Sequence, residues 1–270
     1  MDVTVEDRRS ATDDALARTV WYRAFGLALQ RPTLRSVEWL SSAETARVFR
    51  LAAKGLDLGG ERRQALETLL APLADLRSAD ALAERYDRLF GHTVRGCVCA
   101  YETEYGPENA FQQPQQLADI AGYYRAFGLQ PDPAVDSRVD HVACECEFMG
   151  FLALKEAHFV EASEAANEPD GSEISETLTE TRRAARSFLR EHLARFGLAF
   201  AAKLAEEAGD DFFGRIGRGL ALLLELDCER LAIEAGPPTL QLRPEQPDDT
   251  PMACGTGDEL IQIRRRADFQ

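Results

Sequence analysis

Four thiols stand in two C-x-C pairs, Cys97 with Cys99 and Cys144 with Cys146. Thiolates are good zinc ligands, and four of them suffice for a tetrahedral site. Against this, Cys144 and Cys146 lie in a stretch that reads as helix, where residues two apart point to different sides. A small buried hydrophobe is the commoner role for such a Cys. A zinc protein or enzyme using Cys97, Cys99, Cys144 and Cys146 is therefore the alternative reading. The four His (His92, His141, His158 and His192) are too scattered for a multi-His centre. Gly255-Thr256-Gly257 lacks the Lys and the strand-to-helix setting of a phosphate loop. No nucleophile–base pair or paired-carboxylate signature emerges.

A second kind of chemistry is recognition. Asp140, His141 and Glu145 lie at what reads as a helix start, with Ser137 three residues before Asp140 in the manner of a capping box. On a helix His141 and Glu145 are one turn apart and able to pair. This places Asp140 and His141 either as caps or at the exposed mouth of a groove. Tyr101, Glu102, Glu104 and Tyr105 form a loop rich in rings and carboxylates. Rings bury apolar side chains and carboxylates meet Arg, which suits an amphipathic or basic peptide; the competing reading folds both Tyr back onto the core. Phe148, Phe151 and Phe159 lie off the main apolar stripe of their helix, as does any core helix; one face lining a groove, with Met149 as an adaptable contact, is the other reading.

These residues sit in a chain of 270 with 46 acidic and 31 basic residues and a net charge of −15. That balance opposes phosphate-backbone binding and favours basic partners. The opening Met1-Asp2-Val3-Thr4-Val5-Glu6-Asp7 does not read as a signal peptide, and no run is long and apolar enough to span a bilayer. Free thiols in a reducing compartment, the cytoplasm, are the expectation.

The elements that must position the site are helical. Stripes recur through Leu16, Val20, Ala24 and Leu27, then Leu82, Tyr86, Leu89 and Phe90. Further stripes follow through Val142, Cys146, Met149, Ala153, Ala157 and Val160, and through Phe213, Ile216, Leu220, Leu224, Asp227 and Leu231. The expected fold is all-α, a single globular domain of about nine or ten helices over residues 11–235. Residues 1–10 are expected to be flexible, and about 161–176, acid-rich with a Pro-Asp-Gly turn, to be a mobile linker. Residues 236–270 form a Pro/Gly-rich tail expected to add little to the core. Thr239–Arg243 alternates, but an isolated strand there would be marginal. Leu260, Ile261 and Ile263 before Arg264-Arg265-Arg266 pose a choice between an inert end and a segment docking into an acidic groove.

Three motifs stand in order: Tyr86-Asp87-Arg88-Leu89-Phe90, Ala100-Tyr101-Glu102-Thr103-Glu104-Tyr105-Gly106, and Asp140-His141-Val142-Ala143-Cys144-Glu145-Cys146-Glu147-Phe148-Met149. Phe188-Leu189-Arg190-Glu191-His192-Leu193 follows. Together they resemble the TorD/DmsD/NarJ group of redox-enzyme maturation chaperones, closest to the branch serving type II DMSO reductase family molybdoenzymes. The resemblance covers roughly residues 15–235. It departs at Ala100, where the family usually has Pro, and at Asp136-Ser137-Arg138-Val139, where it often has Glu-Pro. It implies an all-helical, cytoplasmic chaperone, not an enzyme, with no cofactor of its own. Its partner would be a molybdopterin-containing catalytic subunit, gripped at an N-terminal or twin-arginine signal segment before export. The client-binding residues expected are Tyr101, Glu102, Glu104, Tyr105, Asp140, His141, Glu145, Phe148 and Met149.

Overall fold

A computed structural model of the chain describes residues 5–56, 60–70, 78–91, 96–107, 112–130, 138–165 and 170–244. The helices are α1 (Val5–Ala28), α2 (Leu34–Ser41), α3 (Ala43–Gly55), α4 (Gly60–Leu70), α5 (Ala79–Phe90), α6 (Gln113–Ala126), α7 (Val142–Ala165), α8 (Asp170–Phe188), α9 (Ala194–Ala208) and α10 (Phe212–Leu231). A π turn at Leu189–Leu193 joins α8 to α9 without a break, so the ten helices make nine rods among the described residues. The all-α expectation holds.

Helices α1 and α7 form the central pair. They cross closely because each offers a glycine to the other. A Cβ on Gly26 would lie 2.8 Å from Glu147 Cγ and 3.2 Å from the Ala143 carbonyl, and one on Gly150 would lie 3.0 Å from Arg23 Cγ. Around this crossing Trp21, Phe25, Phe49, Phe148, Phe188 and Phe200 are buried. Trp21 stacks on Phe49 of α3 at 5.2 Å, and Phe148 meets Phe188 edge-on at 4.7 Å. Such aromatic pairs add to what area burial alone provides. Polar clamps fix the register. Arg18 of α1 donates to Glu156 of α7 at 2.7 Å, and Arg182 of α8 donates to the same carboxylate at 2.7 Å. Tyr22 OH donates to the buried Asp227 of α10 at 2.7 Å.

The stripe from Val142 to Val160 is buried as its period requires, and so is most of the stripe from Phe213. The first stripe is different. Leu16 is 43% exposed, and the core side of α1 instead runs through Ala17, Trp21, Phe25 and Ala28.

Three expected boundaries move. Helix α1 begins at Val5, inside the stretch expected to be flexible. Helix α7 continues to Ala165 and α8 starts at Asp170, so most of the stretch read as a linker is helical. Its Glu and Ala content favours helix, and the Ser163 hydroxyl returns its hydrogen bond to the Val160 carbonyl. The tail also differs. Gly236 N–H donates to the Ala194 carbonyl at 3.0 Å, Gly106 N–H to Gln241 at 2.9 Å, and Arg243 N–H to Glu104 at 2.8 Å. Residues 236–243 are thus a strap laid along α9 and the 100–106 loop, with Tyr105 and Leu242 bridged antiparallel. The alternation at Thr239–Arg243 is the trace of that pairing: the loop supplies the partner that an isolated strand lacks. The Leu260–Arg266 stretch and Ser137 lie outside the described residues.

Removing the chain from Gly236 onward should lower the melting temperature by about 6–10 °C, since three backbone hydrogen bonds are each worth about 1 kcal/mol. Thermal melting followed by circular dichroism tests this; a truncated chain that melts with the full one would mean the strap holds nothing.

Candidate functional site: a pinned loop and an apolar trough

Asp140 is fully buried. Its Oδ2 accepts from Thr103 N–H at 3.1 Å, from the Thr103 hydroxyl at 2.8 Å and from Arg138 Nη2 at 2.7 Å, while Oδ1 accepts from Arg138 Nε at 3.0 Å. Arg138 also donates to Glu104 at 3.0 Å and lies over the Tyr101 ring at 4.7 Å. Backbone pairing completes the joint. Glu102 N–H donates to the Asp140 carbonyl at 2.9 Å, and Val142 N–H to Ala100 at 2.8 Å. The loop is therefore held between the entry to α7 on one side and the strap on the other.

His141 caps α7 in place of Ser137 or Asp140. Its Nδ1 accepts Ala143 N–H at 3.1 Å, its carbonyl accepts Glu145 N–H, and its ring meets Tyr101 edge-on. Burial lowers its pKa to about 4, which keeps Nδ1 free to accept. The expected exposed mouth at Asp140 and His141 is thus corrected: both are under 5% exposed, because the loop and Arg138 close over the Asp140 carboxylate and the Tyr101 ring packs on His141. The expected His141–Glu145 pair does not form either. Glu145 points inward, fully buried, with no hydrogen bond to either oxygen. Burial, then the neighbouring charges of Glu102 and Asp140, push its pKa well above the usual carboxylate range. Glu102 in turn lies 3.1 Å from Nδ1 of the buried His192, carried on the π turn. A π turn bulges the helix by one residue, and here it turns an imidazole onto the loop.

Tyr105 folds back, its hydroxyl donating to the Cys99 carbonyl at 2.6 Å, and Tyr101 is half-buried beneath Arg138. Glu104 is buried and takes Gln113 Nε2 at 3.0 Å. Met149 is in the core.

Of the nine residues, Tyr105 lines a cavity of about 400 Å³ between α9 and the strap, and Phe148 lines a second, open one. This trough, about 1110 Å³, runs between α1 and α7. Val20, Arg23 and Leu27 form one wall; Cys144, Glu147, Phe151 and Leu154 form the other. Trp39 and Val48 close one side, Leu129 and Val139 the opposite one. Gly150 lies in the lining between Arg23 and Phe151, and lacking a side chain it keeps the floor low. The lining on α7 spans Ala143 to Leu154, about 16 Å at 1.5 Å per residue, the length of three helical turns.

A family profile described as nitrate reductase delta subunit matches residues 57–208, from just before α4 to the end of α9. That is more than half of the chain, and it contains all the motif residues. The chain belongs to the nitrate reductase delta subunit family. Members are maturation chaperones of molybdoenzymes, not enzymes. No curated protein matches the chain. The matched stretch omits α1 to α3, which supply half of the trough lining in this family member.

The zinc alternative fails on geometry. Among the described residues no three His, Cys, Asp or Glu gather as metal ligands. Cys144 lines the trough while Cys146 is fully buried, as i and i+2 on one helix must diverge. Burial holds both as thiols, Cys144 at a pKa of about 12. No helix among the described residues is long and apolar enough to cross a membrane.

The trough residues Val20, Leu27, Trp39, Val48 and Leu154 were missed as binding candidates. One signal was available: α1 and α7 are each apolar on two sides, and one core can use only one of them.

Asp140→Asn should cost about 2–4 kcal/mol, because it leaves a buried network short of its charge. Glu145→Gln should do the opposite as pH rises. Its folded pKa stands above the ordinary value near 4.5, so the unfolded chain releases this proton first. Stability is full below that pH and is lost on going upward through the raised pKa; Gln removes the loss. On the acid side His141 behaves conversely, its contribution present above the ordinary 6.5 and lost as pH falls toward about 4. Urea unfolding of wild type and Glu145→Gln at pH 5 and pH 8 reads the first effect. A difference between the two proteins that does not grow with pH would refute it.

Proposed function

We propose that this chain acts in the cytoplasm as the chaperone of a DMSO reductase family molybdoenzyme, in a system of anaerobic respiration. It holds the catalytic subunit by an N-terminal segment, its twin-arginine signal region, until the molybdenum cofactor is in place and export can begin. The observation that carries this is the trough: three turns long, open, and walled by Val20, Trp39, Val48, Phe151 and Leu154. Of these, Trp39 and Leu154 are each 42% exposed and Val48 36%. Large apolar side chains so exposed and so gathered mark an interaction surface.

A guest helix placing three apolar side chains in the trough gains about 5–9 kcal/mol gross, at about 1.5–3 kcal/mol each. Association and ordering of a flexible segment offset much of that. The resulting grip is reversible, as a chaperone requires: the finished enzyme need only bury the segment elsewhere to be released. Phe148 is the motif residue that faces the guest. Asp140, His141 and the loop residues act on it through the joint, by fixing where α7 begins and therefore which α7 side chains face the trough, and Met149 anchors the opposite side of α7 in the core.

The paired change Leu154→Asn and Val48→Asn tests this, since both side chains are exposed and neither is part of the core cluster. Binding of the client's N-terminal peptide should weaken at least about tenfold, that is by about 1.4 kcal/mol or more, with a melting shift under about 3 °C. Equal affinity for a scrambled peptide, or unchanged affinity in the variant, would defeat the proposal.

A further inference from the structure

The trough has a charge sign of its own. The chain carries 46 acidic residues against 31 basic ones. Yet among the described residues the charged groups facing the trough are two arginines, Arg23 and Arg35, and a single carboxylate, Glu147. These are not equally available. Glu147 Oε1 accepts from Gln30 Nε2 at 2.7 Å; burial raises its pKa, while the Gln30 hydrogen bond and the nearby Arg23 charge act against that rise. Arg23 and Arg35 are exposed and form no ion pair or hydrogen bond with any other described residue. Elsewhere pairing is the habit of this acidic chain: Arg18, Arg31, Arg62, Arg138, Arg182 and Arg230 each hold a carboxylate.

Position matters as much as number. Arg23 stands between Val20 and Leu27 on the α1 wall, and its stem crosses α7 at Gly150, where an added Cβ would lie 3.0 Å from its Cγ. Arg35 stands in the first turn of α2, one turn before Trp39. The two cations come from different walls. A helix seated in the trough would meet one positive group from α1 and one from α2.

We propose that the trough selects a guest helix whose apolar face is flanked by carboxylates, and that a twin-arginine pair stays outside it. This rests on the trough reading given above and adds the chemistry of the guest. An apolar trough lined by two arginines that form no hydrogen-bonded ion pair among the described residues rewards a carboxylate, because a charge pair beside low-dielectric walls interacts more strongly than one in open water. It penalises a guest arginine by repulsion and by lost hydration. The guest segment is about three turns long, with apolar residues at helical spacing and acids beside them. The basic part of a signal region remains free for a later reader.

Three fluorescein-labelled twelve-residue Leu/Ala helical peptides test this on the full chain. They share one apolar face and differ only at two flanking positions, which hold Glu, Gln or Arg. The expected affinity order is Glu, then Gln, then Arg, with about tenfold between the extremes at low salt. The spread should collapse in 1 M salt. In the Arg23→Glu, Arg35→Glu double variant the order should invert. Equal affinities, tightest binding of the Arg peptide to the wild type, or no inversion in the variant would overturn the acid preference and leave the trough as the guest site. If none of the three binds while the catalytic subunit is still captured, the trough reading falls and takes this proposal with it.

Discussion

The close crossing of α1 and α7 is the constraint on which the rest depends. Two helices with glycine at the point of contact approach until side chains of one meet the backbone of the other, as Gly26 does at Ala143. That approach has two faces. On the inner side it brings Trp21, Phe25, Cys146 and Met149 into one core. On the outer side it leaves a channel where side chains of normal size would have stood. Core and trough are therefore products of one contact, and a larger residue at Gly150 would alter both together.

The motif residues of the loop serve that geometry from the end of α7. A helix start is normally soft, with unpaired N–H groups and fraying ends. Here it is locked by Asp140 accepting from two directions and by the His141 ring filling a capping position. Glu145 is the joint's weak member, a buried carboxyl group whose oxygens accept no hydrogen bond and which lies beside two further carboxylates, Glu102 and Asp140. Retaining such a group costs stability, and its neighbours Glu102 and His192 tie that cost to the π turn on the far side of the loop.

How much of this was legible in the sequence depends on the range of the interaction. Helical period alone located the stripes of α7 and α10, because burial on one side writes a repeat of three and four into the residues. The same rule misled on α1, where Leu16, Val20 and Leu27 obey the period yet Leu16 is exposed and Val20 and Leu27 face the trough; an apolar stripe does not say whether a core or a guest will cover it. Asp140 and His141 were visible as a helix start, but their burial was not, since it comes from Thr103 and Arg138 folding onto them. The strap was least legible. Five alternating residues between prolines look marginal until Glu104–Gly106, distant in sequence, are known to lie beside them. The likeness of motifs gave the family without giving the trough, because the motifs lie between Tyr86 and Leu193 and none of them falls on α1 to α3, which wall it.

The strap has a consequence for the order in which the molecule is made. Tyr105 pairs with Leu242, so 242 − 105 = 137 residues must be added after the loop has left the ribosome before its second partner exists. At about 5–20 residues per second, that interval is on the order of ten seconds. During it helices α6 to α10 emerge and pack against α1 to α5 while the loop is held from the α7 side alone. The last described segment of the chain to be synthesised is the one that closes the joint. Until the strap emerges, a nascent chain is therefore a helical body with an unfinished loop.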